Sequence, residues 1–328
     1  MTKRVVFMGT PAFAGPALAA LAAVKGVDVA LVVTQPDRPA GRGRNLAAPP
    51  VKELAIALGL EVYQPATLRD KESRAPLVTL EPDLVVVAAY GLILGRSILE
   101  LPPAGCVNLH ASLLPKYRGA SPIAAAIVEG DDQTGVSLMR MERGLDTGPV
   151  FATRAISIEG ADTTESLTSR LANVAAELVI EHLPSLLDNT IVASSQPPAA
   201  SLTRPLSRAD GWVDWSASAV SIERQVRAMW SWPRAWTTLP SGTSMQIHQA
   251  TVVQSPEATQ AGTVIASRGE VTVACGEGAL RIERGQLAGR NALEGAQLAT
   301  VRDLAPGTVL GTTGEPAPQG PIVSPVAG

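Results

Sequence analysis

Three polar side chains near the middle of the chain have types and spacing that suit proton transfer and oxyanion binding. Asn108 and His110 are two residues apart at the end of an apolar run, so in a strand both side chains leave the same face. Asp146 lies between Gly144 and Gly148 in a segment typical of a tight turn. An amide can donate to a developing oxyanion, and an imidazole beside a carboxylate can move a proton near neutral pH.

Each of these residues also has an ordinary explanation. An asparagine or histidine at a strand end is usually a satisfied polar residue, and the Asp146-Thr147-Gly148 sequence suits a plain turn. The functional hypothesis therefore depends on the three residues as a set, and on elements that would bring them together.

Those elements are predicted by the hydrophobic pattern of the N-terminal half. Short β-branched runs alternate with alanine- and leucine-rich stretches, which predicts βαβ units around a parallel sheet. The predicted strands are 4–8, 27–34, 84–88, 105–109, 136–141 and 149–158, and the predicted helices are 12–24, 51–58 and 163–187. Ligands bind at the carboxyl ends of such strands, which is where Asn108 and His110 fall.

The pattern changes after residue 189. A proline-, alanine- and serine-rich segment precedes a series of short strands punctuated by glycine and proline, which is typical of a small antiparallel barrel. We therefore predict a doubly wound, Rossmann-like α/β domain at 1–189 and a linker at 190–206. A C-terminal OB-like β-barrel at 207–312 and a flexible tail at 313–328 would follow.

Composition limits the classes of protein to consider. The 328 residues are 46% hydrophobic, which predicts a folded chain, and the net charge of -3 argues against bulk binding of nucleic acid. Two distant cysteines and three scattered histidines indicate a reduced compartment and no metal site. No signal peptide is visible and no apolar stretch reaches the roughly 18 residues of a membrane span, so we expect a cytoplasmic protein.

The polar trio belongs to two longer motifs. These are Asn108-Leu109-His110-Ala111-Ser112-Leu113-Leu114-Pro115 and Leu145-Asp146-Thr147-Gly148. In this order they resemble the folate-dependent formyltransferases, which share Asn-x-His-x-Ser-Leu-Leu-Pro and a later Leu-Asp-x-Gly. The resemblance implies formyl transfer from 10-formyltetrahydrofolate to an amine, with Asn108, His110 and Asp146 as the catalytic residues and no metal.

The same resemblance implies residues for the folate site. Ser112, Leu113, Leu114 and Pro115 would line it, and Ala89, Tyr90 and Gly91 look like the family's loop on the pterin side. A simple connector from strand to helix explains the second segment equally well.

Three further segments resemble the methionyl-tRNA formyltransferases within that family. They are the opening 7–14, the entrance of the C-terminal domain at 209–236, and a loop at 34–46 that carries Arg38, Arg42 and Arg44 among glycines. The resemblance implies that this loop binds the acceptor end of initiator methionyl-tRNA. A solvated connector is the alternative. Arginine among glycines suits contacts with phosphates and base edges.

The predicted barrel lacks the excess positive charge that favours RNA binding. Residues 207–312 contain nine arginines, nine acidic residues and no lysine, so the local charge is close to zero. We therefore expect RNA binding to depend mainly on Arg38, Arg42 and Arg44, in a protein that acts as a monomer.

Three alternatives remain open at this point. A sugar-nucleotide N-formyltransferase would share the catalytic motif without needing the arginine loop. A binding module without activity would make the trio incidental. A dinucleotide-binding oxidoreductase is disfavoured because the first strand is followed by Gly9-Thr10-Pro11 and not by a glycine-rich fingerprint.

Overall fold

The computed structural model describes residues 2–40, 45–255, 259–266, 269–314, 316 and 320–326. Along the N-terminal domain the strands are β1 (Lys3–Gly9), β2 (Val27–Val33), β3 (Arg38–Ala40), β4 (Asn45–Ala47), β5 (Val62–Tyr63), β6 (Leu84–Ala88), β7 (Cys106–His110), β8 (Arg118–Gly119), β9 (Gln133–Arg140) and β10 (Val150–Ser157). The helices of this domain are α1 (Gly15–Ala22), α2 (Pro50–Ala57), α3 (Lys71–Leu80), α4 (Arg96–Leu99), α5 (Pro122–Glu129) and α6 (Thr164–Leu187).

The remainder of the chain is mostly strand. It contains β11 (Ser201–Thr203), α7 (Ala219–Ala228), β12 (Ala235–Thr238), β13 (Ser244–Val253), β14 (Val264–Ala266), β15 (Val271–Ala274), β16 (Ala279–Leu287), β17 (Ala292–Glu294), α8 (Gly295–Leu298) and β18 (Val323–Pro325). Short 3-10 turns at Ala12–Ala14, Arg208–Gly211 and Arg302–Leu304 complete the described elements.

A seven-stranded sheet forms the centre of the N-terminal domain. Its order is β10-β9-β7-β6-β1-β2-β5. Side chains alternate across β1, so Val5 and Phe7 pack against α1 and α6 on one face. Val6 and Met8 pack on the other face with Leu77 of α3 and other residues. The doubly wound, Rossmann-like prediction is confirmed.

The last two strands at one side of the sheet, β9 and β10, depart from the all-parallel arrangement that the βαβ pattern predicts. The five strands from β7 to β5 pair in parallel, whereas β9 runs antiparallel to β7 and β10 runs antiparallel to β9. The antiparallel pairing of β9 with β10 follows from the length of the connection between these two strands. Residues 141–149 form a loop that is too short for the helical crossover that parallel neighbours require.

The C-terminal domain is a curled antiparallel sheet with the form of half a barrel. Its order is β12-β13-β16-β15-β14, with β17 beside β16. Ile222 and Val226 of α7 close its core over Met245, Ile247 and Ile282. This confirms the small OB-like β domain that the strand pattern predicts.

A third, small sheet joins segments that the sequence assigned to a linker and a flexible tail. Its order is β18-β11-β8, with β11 parallel to β8 and antiparallel to β18. Thr203 of β11 donates through Oγ1 to the Arg118 carbonyl at 3.0 Å, and its own carbonyl accepts from the Ala120 N–H at 3.2 Å. The structure therefore differs from our expectation at β11 and β18, because short apolar pairs can add to an existing strand despite flanking proline and glycine.

We expect removal of residues 320–328 to destabilise the N-terminal domain. Ile322 and Val323 are half-buried and pack on a small cluster of Tyr117, Ala125 and Ala126. Partial burial of two such side chains contributes about 2 kcal/mol to the free energy of unfolding. Urea unfolding of a chain that ends at residue 319 should show the lower midpoint. The exposed-site variant Ser324→Ala should keep the parental midpoint, and a parental midpoint in the truncated chain would contradict this role for β18.

Candidate active site

Strand β7 positions Asn108 and His110 at the carboxyl end of the sheet. It lies between β6 and β9, and its register places Asn108 beside Met139 and His110 beside Ser137 of β9. Asn108 is half-buried, and the His110 side chain is only 6% exposed. Alternation along the strand thus presents both polar side chains on one face, as the spacing predicts.

Asp146 reaches the same place from the turn between β9 and β10. Its φ of 51° lies in the left-handed region, which is uncommon for a residue other than glycine. The neighbouring Gly148 has no room for a side chain, because a Cβ there would lie 1.9 Å from the Arg140 carbonyl oxygen. The turn is therefore held tightly against the end of β9.

The structure brings the three predicted residues together. Asp146 Oδ1 lies 3.5 Å from Asn108 Nδ2, and Asp146 Oδ2 lies 3.6 Å from His110 Nδ1. The best hydrogen bond to this carboxylate comes from the Gly119 main-chain N–H, which donates to Oδ2 at 2.8 Å. Both contacts within the trio are long, so Asn108 Nδ2 and His110 Nδ1 remain available to a reacting group.

The other ring nitrogen of His110 defines the tautomer. Nε2 lies 2.9 Å from the Tyr117 carbonyl oxygen. A carbonyl can only accept, so Nε2 carries a proton and donates. In a neutral imidazole Nδ1 is then unprotonated, and it faces the Asp146 carboxylate.

The segment after β7 is folded by its own hydrogen bonds. Ser112 is fully buried, and its hydroxyl donates to the Lys116 carbonyl at 2.5 Å. Ser137 donates to the Ser112 carbonyl at 2.7 Å and accepts from the Leu114 N–H at 3.0 Å. Leu113, Leu114 and Pro115 are half-buried, and the Leu114–Pro115 bond is cis. Ser112 thus stabilises the loop, while the three apolar side chains are the ones that remain accessible.

The predicted pterin-side loop follows β6, the parallel neighbour of β7. Ala89 and Gly91 are exposed with φ of 48° and 85°. Tyr90 between them points into the core, where burial raises the pKa of its phenol to about 12. Its carbonyl accepts from Thr10 Oγ1 and Gln35 Nε2, both at 3.0 Å. The loop therefore offers main chain rather than the Tyr90 hydroxyl to the site.

Only the base of the arginine-containing loop lies within the described residues. Arg38 is exposed and donates to Gln35 Oε1 at 2.6 Å, and β3 pairs with β4 across the loop. Asp37 accepts from Gln64 at 2.8 Å and from Lys52 at 2.7 Å, and these hydrogen bonds hold the pKa of its carboxyl below the usual value. Arg42 and Arg44 lie outside the described residues, so their role in RNA binding remains a prediction.

The two cysteines are poorly suited to nucleophilic chemistry. Cys106 and Cys275 are buried, and burial raises the pKa of these thiols to about 12 and about 11. The thiolate is the nucleophilic form, so neither residue is suited to attack. Within the described ranges, no three side chains of His, Cys, Asp or Glu are grouped to hold a metal ion. None of the helices described is long and apolar enough to span a membrane.

Three residues that complete the site escaped the sequence-based prediction. Tyr117 and Gly119 act through main-chain atoms, so their side-chain types carry no signal for this contact. Gln196 lies in the segment predicted as a linker, 190–206, and contacts the Asp146 turn from 50 residues away. Tyr117 and Gly119 lie two and four residues after the 108–115 motif, and this closeness was the one available hint.

Comparison with known proteins gives the class of protein that this fold and site define. Residues 3–183 match the formyl transferase family, and residues 205–302 match the C-terminal domain of formyl transferases. The crystal structure of HypX from Aquifex aeolicus in complex with tetrahydrofolic acid is similar in fold. Its TM-score is 0.59 at 16% identity, over 92% of this chain and 47% of that chain.

Relatives with higher sequence identity define the family within this class. The methionyl-tRNA formyltransferase of Methylococcus capsulatus is 47% identical over 310 residues, which is 94% of this chain and 100% of that protein. The methionyl-tRNA formyltransferase of Ectopseudomonas mendocina is 45% identical over 312 residues, 94% of this chain and 98% of that protein. The chain belongs to the methionyl-tRNA formyltransferase family.

Proposed function

We propose that this protein transfers a formyl group from 10-formyltetrahydrofolate to the free amino group of initiator methionyl-tRNA, which yields formylmethionyl-tRNA for the start of translation. The observation that carries the proposal is the meeting of Asn108, His110 and Asp146 at the end of β7. It occurs in a chain whose relatives of that activity match it over nearly its whole length.

The proposed reaction is a direct acyl transfer. The neutral amine forms a bond to the formyl carbon, and the carbonyl oxygen becomes an oxyanion. Asn108 Nδ2 donates to that oxyanion, and His110 in its doubly protonated form donates a second hydrogen bond from Nδ1, keeping that proton before and after the step. The tetrahedral species collapses as the bond from carbon to N10 of the folate breaks.

Proton transfer in this scheme falls to Asp146. The carboxylate stabilises the protonated imidazole across the 3.6 Å separation and accepts the proton that the attacking amine loses. That proton then passes to N10 as the folate leaves, so atoms and charges balance. A positioned acid or base of this kind contributes about 10²–10⁴ in rate.

The proposed folate site lies at the carboxyl ends of β6 and β7. Open α/β sheets place ligands at this edge. The main chain of Ala89, Tyr90 and Gly91 would face the pterin ring, and Leu113, Leu114 and Pro115 would form an apolar wall. Ser112 would support that wall from within, because its hydroxyl is engaged by Lys116.

Recognition of tRNA is assigned in this proposal to the loop that starts at Arg38. The ion pair of Asp37 with Lys52 anchors the loop base at 2.7 Å, which would let the loop project toward the acceptor end. The near-neutral C-terminal domain would add shape more than charge. We place the protein in the cytoplasm, acting as a monomer, as part of the same proposal.

Formylation of charged initiator tRNA tests the function directly. Purified protein, 10-formyltetrahydrofolate and methionyl-tRNA should give formylmethionyl-tRNA, and the rate should fall as salt is raised because phosphate contacts are screened. An amino sugar linked to a nucleotide serves as the matched alternative acceptor. Transfer to the sugar and not to the tRNA would overturn the proposal in favour of the sugar-directed activity.

A further inference from the structure

The amide of Gln196 makes four hydrogen bonds around the Asp146 turn. Its Nε2 donates to the carbonyl oxygens of Asp146 at 2.8 Å and Gly148 at 2.7 Å. Its Oε1 accepts from Arg118 Nε at 3.0 Å and Nη2 at 2.8 Å. A carboxamide offers two N–H donors and one oxygen with two lone pairs, so these contacts use it completely.

The turn that Gln196 contacts has little apolar packing to hold it. Leu145 and Thr147 are exposed, so the turn lacks an apolar anchor on either side of Asp146. The left-handed backbone of Asp146 is strained and persists only where the surroundings enforce it. Two hydrogen bonds from one side chain to the turn's own carbonyls can supply that constraint.

The contacts close into a ring around Asp146. Gln196 links the Asp146 carbonyl to the Arg118 guanidinium, and the Gly119 N–H next in the chain donates to the Asp146 carboxylate. The main chain and the carboxylate of Asp146 are thus both tied to one dipeptide, Arg118-Gly119. A change at Gln196 would release the main chain of Asp146 and leave the Gly119 N–H to hold the carboxylate without support from the turn.

Gln196 is itself held in place by the edge of the large sheet. Two residues earlier, Ser194 exchanges a pair of main-chain hydrogen bonds with Val150 of β10, each 2.8 Å long. This bridge aligns the segment along β10, so the Gln196 side chain reaches the turn from a fixed base.

We propose that Gln196 is a positioning residue, which fixes the Asp146 turn so that the carboxylate faces Asn108 and His110. It does not touch substrate in this scheme and acts through Asp146. The inference rests on the proposed function for its link to activity, whereas the structural part stands on the hydrogen bonds alone.

The sharpest test is Gln196→Glu, which keeps the acceptor for Arg118 but loses both donors to the turn. An ionised carboxylate only accepts, so it repels the two carbonyls. A misplacement of about 1 Å can cost about 10²-fold in rate, and we expect a loss of this size in single-turnover formyl transfer at neutral pH. The KM for the folate donor should stay at the parental value.

A pH profile separates positioning from a merely structural role. As the pH falls, the introduced carboxyl becomes protonated and can donate again, so the activity of Gln196→Glu relative to the parent should rise. Gln196→Ala should show a similar loss but a constant ratio across pH. A parental rate in Gln196→Glu at neutral pH would overturn the inference.

Hydrogen exchange provides a measurement that does not depend on activity. Gln196→Ala should speed amide exchange in a peptide spanning residues 141–149, and the exposed neighbour Ser195→Ala should not. Unchanged exchange in Gln196→Ala would overturn the inference even if formyl transfer were lost. Absence of transfer in the parent would instead contradict the proposed function, and the exchange result would still decide the role of Gln196.

Discussion

Asp146→Asn should lower the rate of formyl transfer by about 10²–10⁴-fold while the fold persists. The substitution keeps an oxygen that can accept from Gly119, which donates to the native carboxylate at 2.8 Å. It removes the charge and the basic oxygen that face His110 Nδ1. With its oxygen kept at the Oδ2 position, the variant amide presents a neutral, weakly basic oxygen to His110 Nδ1 and its new N–H group to Asn108, so both proton acceptance and the support of a protonated ring are lost.

Single-turnover kinetics with charged initiator tRNA measure this effect without interference from product release. Glu142→Gln is the matched control, because it removes an exposed carboxylate from the same loop between β9 and β10. The control should retain the parental rate, and the thermal midpoints of all three proteins should agree. A rate within threefold of the parent in Asp146→Asn would show that Asp146 is not the proton acceptor.

Sequence analysis could predict the residues of this site whose role depends on the type of their side chain. Asn108 and His110 were predicted to share a face because strand periodicity is two, and the register of β7 agrees. The contact of Asp146 with both, across nearly forty residues, was implied only by a family resemblance. Local pattern contains nothing about which turn reaches which strand.

Main-chain contributions were beyond sequence-based prediction for a physical reason. Every residue other than proline carries the same N–H and carbonyl, so the use of the Gly119 N–H and the Tyr117 carbonyl leaves no signature in residue type. Gln196 was missed for a related reason. Its surroundings of proline, serine and alanine are typical of a linker, and composition does not register one side chain that bonds 50 residues away.

Two features of the fold were also not predicted from local sequence pattern. They are the direction of the strands β9 and β10 and the path of the C-terminal segment. Periodicity predicted β9 and β10 as strands but not their antiparallel pairing, which follows from the short loop between them. Glycine and proline near the end of the chain predicted disorder, yet Ile322 and Val323 find an apolar cluster to cover. Burial of a few apolar atoms at a distant surface outweighed the local preference for coil.

Asn108→Ala tests the remaining part of the proposed site, the binding of the oxyanion. Its Nδ2 lies 3.5 Å from Asp146 Oδ1, a stretched contact that leaves the donor available to a stronger acceptor. The oxyanion exists only in the transition state, so the lost hydrogen bond should lower kcat and leave the affinity for the folate donor unchanged. Loss of one such donor costs about 2.7–4 kcal/mol, which corresponds to about 10²–10³ in kcat.

A second variant of Asn108 and a control at another residue sharpen this prediction. Asn108→Asp keeps the shape but replaces the donor with a carboxylate close to Asp146, so its kcat should fall at least as far as that of Asn108→Ala. Gln133→Ala removes an exposed amide at the start of β9 and should leave kcat unchanged. The affinity for the donor is measured separately, with a folate analogue that cannot transfer its group. If Asn108→Ala weakened that affinity and spared kcat, Asn108 would bind the folate in its ground state, and the oxyanion would have to be stabilised by His110.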